Sequence, residues 1–253
     1  QMHADGDKEK KLRETKNVML AKVYKILAIT LGEPPHEFTW RYEDKDGVLS
    51  EAVEYTPISF YEKFVNINLD DYVMFMNDPS RDFGALYEIK NDRHTFEGGN
   101  WKYINLESDI IKEFAKKSIL GNDAMYFSCD VGKQLDKDRG YLDVNNYDYG
   151  TLMGIVLGMD KKQRIQTFES GSTHGMALVA VDLVDDKPAK WLLENSWGDS
   201  GFKGHLIMTD EWFDEYMFRV VIHKDYIDAE TMNILETEAV ILPPWDPMFS
   251  PDI

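Results

Sequence analysis

Two runs in the last third of the chain bring together residue types that can move a proton. The first is Glu169-Ser170-Gly171-Ser172-Thr173-His174-Gly175-Met176, leading into an apolar segment. The second is Trp191-Leu192-Leu193-Glu194-Asn195-Ser196-Trp197-Gly198. If the two apolar segments pair antiparallel through a turn at 185–188, His174 and Asn195 fall at the same end of a sheet. Each then supplies what the other lacks. The carboxamide oxygen of Asn195 accepts one imidazole N–H, which fixes the ring and its tautomer and leaves the other nitrogen to face a nucleophile. Trp197 is placed to cover that bond and exclude water, which strengthens it.

Other chemistries fit less well. Asp44-Lys45-Asp46-Gly47 and Asp136-Lys137-Asp138-Arg139-Gly140 lack the alternating oxygen ligands and the distal Glu of a calcium loop, and read as solvated turns. The six histidines are scattered, with neither His-Glu-x-x-His nor Cys-x-x-Cys, so no metal site and no cofactor is expected. There is no phosphate loop, and Gly171-Ser172-Thr173-His174-Gly175 has Thr where a nucleophile elbow needs Ser. The 253 residues carry 28 Lys+Arg against 46 Asp+Glu, a formal charge of −18. Such a surface repels a phosphate backbone, so nucleic acid and anionic membranes are not expected partners. No apolar run reaches the ~20 residues of a membrane span. A single cysteine, Cys129, permits no internal disulfide, which fits a reducing cytoplasm.

The elements that must position these residues follow from periodicity. After a charged lead-in over residues 1–16, Leu20, Val23, Tyr24, Leu27 and Leu31 recur at helical spacing until Gly32 and Pro34-Pro35. Thr56-Pro57 opens a short helix with Phe60, Tyr61 and Phe64 on its apolar side. Residues 72–76 read as a buried strand ending at Asn77-Asp78-Pro79. Asn105 is expected to cap a helix whose apolar face is Ile110, Ile111, Phe114, Ala115 and Ile119. Strands are expected at 124–129, 176–184, 190–195, 204–208 and 218–223, and a last short helix at 228–236. The tail from Leu242 through Pro243-Pro244-Trp245-Asp246-Pro247 reads as an extended arm. The expected organisation is α+β: a helical, accessory segment over 1–105, a β-rich half over 106–240 holding His174 and Asn195, and an arm over 241–253.

These motifs resemble a known family. His174-x-Met176-x-Leu178 followed by Glu194-Asn195-Ser196-Trp197-Gly198 is similar to the His/Asn half of the papain-like cysteine peptidases. Further motifs narrow the likeness to the bleomycin hydrolase/aminopeptidase C branch. They are Leu31-Gly32-Glu33-Pro34-Pro35 with Phe38-Thr39-Trp40, Asn77-Asp78-Pro79, Cys129-Asp130-Val131-Gly132-Lys133, Met208-Thr209-Asp210-Glu211-Trp212-Phe213, and Leu242-Pro243-Pro244-Trp245-Asp246-Pro247-Met248. The resemblance spans about residues 17–248. It implies a papain-like fold with an antiparallel barrel-like sheet and accessory helices. It also implies a cytoplasmic thiol aminopeptidase acting on peptide substrates through a Cys-His-Asn site, with His174 as base and acid, Asn195 as its orienting partner and Trp197 as shield. The branch commonly forms a homohexameric ring whose C-terminal arm lies in the cleft.

One part of the pattern is missing. The family's nucleophile precedes the His on a helix, whereas Cys129 sits in a strand-like apolar run with no helix N-terminus to lower its pKa. The chain is therefore expected to match the C-terminal portion of such an enzyme, to be inactive alone, and to expose an apolar face around Trp197 for its N-terminal lobe or other subunits. The alternative is a non-catalytic homologue acting as an interaction or scaffold subunit. Gly175 is read as added flexibility beside His174.

Overall fold

The computed structural model describes residues 8–248 apart from 94, 96 and 157. The start through Asp7, His94 and the last five residues of the tail lie outside the described residues. The chain divides into two compact units, Gln1–Ile67 and Asn68–Ile253.

In the first unit, α1 (Glu9–Leu31) begins well inside the expected charged lead-in. Lys, Glu, Leu and Arg are strong helix formers, so charge alone does not keep residues 9–16 out of the helix. β1 (Phe38–Trp40) and β2 (Val53–Tyr55) pair antiparallel. α2 (Pro57–Phe60) starts as Thr56-Pro57 predicts. Thr56 Oγ1 accepts the Ser59 N–H at 3.1 Å and Ser59 Oγ accepts the Thr56 N–H at 3.0 Å, a reciprocal cap. One turn of π-helix, Tyr61–Val65, follows and sets Phe64 and Phe60 edge-on to Trp40 at 4.8 and 4.9 Å between ring centres.

The second unit is built on one sheet. Its strands are β3 (Tyr72–Met76), β4 (Ala85–Ile89), β5 (Lys102–Asn105), β6 (Met125–Cys129), β7 (Leu135–Asp136), β8 (Tyr141–Leu142), β9 (His174–Val184), β10 (Lys187–Glu194), β11 (His205–Thr209), β12 (Met217–His223) and β13 (Val240–Leu242). Their order across the sheet is β13-β4-β5-β3-β12-β6-β9-β10-β11-β8-β7. Parallel pairing is confined to β3–β5, β4–β13 and β8–β11. Helices fill the connections: α3 (Ser108–Leu120), α4 (Tyr149–Met153), α5 (Lys161–Gln166), α6 (Ser200–Lys203), α7 (Asp210–Tyr216) and α8 (Ala229–Asn233).

The core forms where α3 and α7 bring apolar stripes to the sheet. Ile111, Phe114, Trp212 and Phe213 are fully or almost fully buried in one cluster with Phe75, Ile104, Phe127, Leu178, Trp191 and Val220. Each such side chain contributes roughly 1.5–3 kcal/mol of burial free energy. This packing makes the middle of the sheet rigid, and the middle is where β6, β9 and β10 meet.

Two expectations are corrected. Asn105 does not cap α3; Glu107 holds that position, without a side-chain bond. Asn105 instead ends β5 fully buried, donating to the carbonyls of Asp78 (2.9 Å) and Asp82 (3.1 Å) and accepting the Asp78 N–H at 2.8 Å. A buried carboxamide stitches two backbone segments there, which a local capping rule does not anticipate. Leu242 is not part of an extended arm either, because it closes β13 against Ile89. Beyond it, Asp246 and Met248 are buried.

Candidate functional site

β9 and β10 form a hairpin whose two turn residues, Asp185 and Asp186, both take positive φ (51° and 62°). That is the geometry a two-residue turn needs to match the strands' twist. Bulges between Pro188 and Lys190 and between Leu192 and Leu193 shift the register in opposite senses and cancel. Continuing the final pairing, Glu194 with Ala177, by three residues sets Trp197 opposite His174. The rings are indeed stacked, with centres 4.9 Å apart and planes 28° from parallel.

His174 Nε2 lies 2.9 Å from Asn195 Oδ1. The same oxygen accepts the Ser196 backbone N–H at 2.8 Å. A backbone N–H can only donate, so the atom facing it must be the carboxamide oxygen. The imidazole atom that meets that oxygen must then be an N–H. Neutral His174 is thereby held as the Nε2–H tautomer, with Nδ1 bare and able to take a proton. The Asn195 backbone N–H donates to the Gly204 carbonyl at 2.9 Å, which anchors the carboxamide from behind. His174, Asn195 and Trp197, expected together from the sequence, are together.

Trp197 is half-buried against the core, and the Lys137 ammonium lies 5.7 Å from its ring centre. Trp197 itself is thus not bare, while Tyr126, and Phe202 of the 198–204 loop, are exposed. Among the described residues, the most exposed apolar side chains are Val156 (98%), Leu31 (81%) and Leu152 (78%). Cys129 is directly cross-strand from His174 in the β6–β9 register, but its thiol is fully buried in the core cluster. Burial, and then the charge of Asp130, push that thiol well above its ordinary range. Gly175 also has a packing role beyond flexibility: a Cβ there would sit 2.9 Å from Cε2 of the Tyr126 ring and 3.2 Å from its hydroxyl. Tyr126 and Lys137 flank the site, and no local motif signals either. Among the described residues, no group of three or more His, Cys, Asp or Glu is placed to hold a metal ion.

The arrangement can hold an imidazole in one tautomer and pass a proton through Nδ1. Comparison with known proteins places the chain in a family. The profile of the Peptidase C1-like family matches residues 1–249. The chain belongs to that family. Among its C1-like relatives, bleomycin hydrolase of Rattus norvegicus is 37% identical over 252 residues, 96% of this chain and 56% of that protein. Aminopeptidase C of Streptococcus thermophilus is 38% identical over 251 residues, 98% of this chain and 56% of that one. The crystal structure of PepW from Lactobacillus rhamnosis HN001 superposes with a TM-score of 0.90 at 38% identity, covering 98% of this chain and 57% of PepW. The α+β, papain-like fold expected from the motifs is thus shared with a solved C1-like structure. The chain spans little more than half the length of the relatives it matches. No helix among the described residues is long and apolar enough to cross a membrane.

Proposed function

We propose that this chain supplies the base and its orienting partner to a cysteine aminopeptidase of the bleomycin hydrolase/aminopeptidase C type. The observation that carries the reading is the 2.9 Å contact between His174 Nε2 and Asn195 Oδ1 beneath the Trp197 ring. In this reading Nδ1 of His174 takes the proton of a cysteine thiol. The thiolate adds to a peptide carbonyl, His174 returns the proton to the leaving amine, and water then releases the acyl group with His174 again as base. Asn195 keeps the ring in the tautomer both steps need, and Trp197 keeps water off the bond between them.

The attacking sulfur is not Cys129, whose thiol has no access to solvent and is disfavoured as thiolate. A cysteine from the part of the relatives that this chain does not match fits the role. The same burial supports the second reading, a homologue that binds without cleaving. Peptide substrates, assembly as a homo-oligomer and a cytoplasmic setting belong to the proposal, the last supported by a single unpaired cysteine.

The test is aminopeptidase activity on aminoacyl-naphthylamides. The chain alone should be inactive. Joined to the cysteine-bearing N-terminal portion of an aminopeptidase C, it should gain activity that His174→Ala removes. Cleavage by the chain alone, abolished by Cys129→Ser, would overturn the assignment of the sulfur. Full activity of the joined protein carrying His174→Ala would overturn the assignment of the base.

A further inference from the structure

His174 is delivered by seven residues, 167–173, four of which are Ser170, Gly171, Ser172 and Thr173. Side chains this small bury little apolar surface, so packing cannot fix the segment. It leaves α5 through Phe168 in the left-handed region (φ 60°), a conformation a non-glycine residue keeps only where its surroundings impose it.

The end of α5 closes that turn, the Glu169 and Ser170 N–H groups donating to the Arg164 carbonyl at 2.9 and 3.3 Å. Beyond it, the segment is held by a facing stretch, residues 128–133. Ser170 Oγ donates to Asp130 Oδ2 at 2.7 Å, and both residues are buried. Ser172 Oγ is hydrogen-bonded to Ser128 Oγ. The Thr173 N–H donates to the Cys129 carbonyl at 3.0 Å. Lys133 Nζ reaches Glu169 Oε1 at 2.8 Å. The stretch is itself pinned to α7: the Asp130 N–H donates to the Tyr216 carbonyl at 3.0 Å, and Trp212 Nε1 donates to the Lys133 carbonyl at 2.9 Å.

These contacts are unequal. Lys133 and Glu169 are exposed enough that water and salt screen their pair, which holds the segment only weakly. The Ser128–Ser172 bond joins neutral groups. The Asp130–Ser170 bond is charge-assisted, short and buried, the class that is both strongest and most costly to break.

We infer that Asp130 is a positioning residue for His174, acting through Ser170. The run Cys129-Asp130-Val131-Gly132-Lys133 thereby serves as the seat on which the histidine's segment rests. The inference rests on the reading of His174 as the base, but its test needs no catalysis. Nitrogen-15 NMR of the His174 ring in this chain reports the tautomer and the solvent exchange of Nε2–H. The wild-type ring should be the Nε2–H form. Ser170→Ala and Asp130→Ala should each mix the tautomers and speed Nε2–H exchange roughly tenfold, as local opening does when a constraint is lost. Ser170→Ala should add little in the Asp130→Ala background, because the bond it removes is already gone there. Asp130→Asn, whose carboxamide oxygen still accepts the Ser170 hydroxyl, should restore most of the wild-type signal.

If Ser170→Ala lowers the melting temperature while the His174 resonances keep their tautomer and exchange rate, the bond is only structural and the inference falls. Ser170→Ala removes a single oxygen, so it decides the matter even if Asp130→Ala fails to fold. Failure of the catalytic reading shows separately, as activity surviving His174→Ala in the joined enzyme.

Discussion

Asp246 is ion-paired with Arg81, 165 positions earlier in the chain. The guanidinium also meets Asp78 Oδ2 at 2.9 Å. Both carboxylates are almost completely buried, and Arg81 is the cation between them. The pair explains two motifs that sequence alone leaves as words: Asn77-Asp78-Pro79 and Trp245-Asp246-Pro247 are the two ends of one clamp. Residues 243–248 are therefore tied down. Arg219 adds to this, donating from Nη2 to the Met248 carbonyl at 2.8 Å while stacking 4.4 Å from the Trp101 ring centre.

Replacing Arg81 with Met should leave two buried carboxylates facing each other without a cation. Removing one partner of a buried pair costs about 3–5 kcal/mol. Urea unfolding should show a loss of that order, with new proteolytic cuts after residue 243. Asp246→Asn should cost less, because the amide oxygen still accepts from Arg81. A loss below about 1 kcal/mol for Arg81→Met would show that the clamp is not what holds the tail.

The His174–Asn195 contact was legible in the sequence because it rests on two strands joined by a two-residue turn. Turn chemistry and alternation then suffice to predict which residues share a sheet end. The same holds for α2, whose Thr56-Pro57 start is a local signature. The misses are contacts between residues far apart in the chain. Asn105 looked like a cap because capping is local, whereas its partners Asp78 and Asp82 come from another strand connection. The fixed tail depends on Arg81, and the close fit at Gly175 depends on Tyr126 of a neighbouring strand. No window along the sequence contains both members of such pairs.

The stacked indole should matter to the bond it covers. In Trp197→Ala the His174–Asn195 hydrogen bond gains access to water, and its advantage over hydration falls. Exchange of the His174 Nε2–H, followed by NMR, should accelerate roughly tenfold, which corresponds to about 1.4 kcal/mol of lost protection. Trp197→Phe should lie between the two. An unchanged exchange rate in Trp197→Ala would show that the sheet, not the indole, excludes solvent.

Lys161 gives the protein a pH dependence that its surface charge would not reveal. Its ammonium is buried, donating to Asn77 Oδ1 (2.6 Å) and to the Asp214 (2.8 Å) and Met217 (2.6 Å) carbonyls. Burial lowers its pKa to about 7, with the charges of Glu215 and Asp214 opposing that shift. The unfolded chain keeps the ordinary lysine value of about 10.5. Between those values the unfolded state binds a proton that the native state does not, so this group makes stability rise with pH across the window. Below pH 7 the full cost of charging the buried amine is present. Urea unfolding of wild type and Lys161→Met at pH 7 and pH 9 should differ in that sense, the balance moving toward wild type by on the order of 1 kcal/mol per pH unit. A difference that stays flat would mean the three acceptors keep the ammonium charged throughout.

The loop behind Asn195 tolerates no side chain at Gly140. That residue has φ 66°, and a Cβ on it would stand 2.7 Å from Gly201 Cα and 2.7 Å from the Phe202 nitrogen. Both are backbone atoms and cannot swing aside as a flexible side-chain end does. The 198–204 loop would have to move, and its Gly204 carbonyl is what anchors the Asn195 N–H. The Gly140 carbonyl in turn accepts the Ile207 N–H at 2.8 Å, so displacement would also strain β11. Gly140→Ala should therefore cost about 2–4 kcal/mol, combining backbone strain with lost contacts. It should also remove the ring-current shift that Trp197 imposes on the His174 protons. Gly132→Ala is the control, since a Cβ there meets nothing within 4 Å. It should change stability by less than about 0.5 kcal/mol and leave the His174 spectrum untouched. If the two variants behave alike, the close approach of Gly140 and Gly201 has no hold on the site.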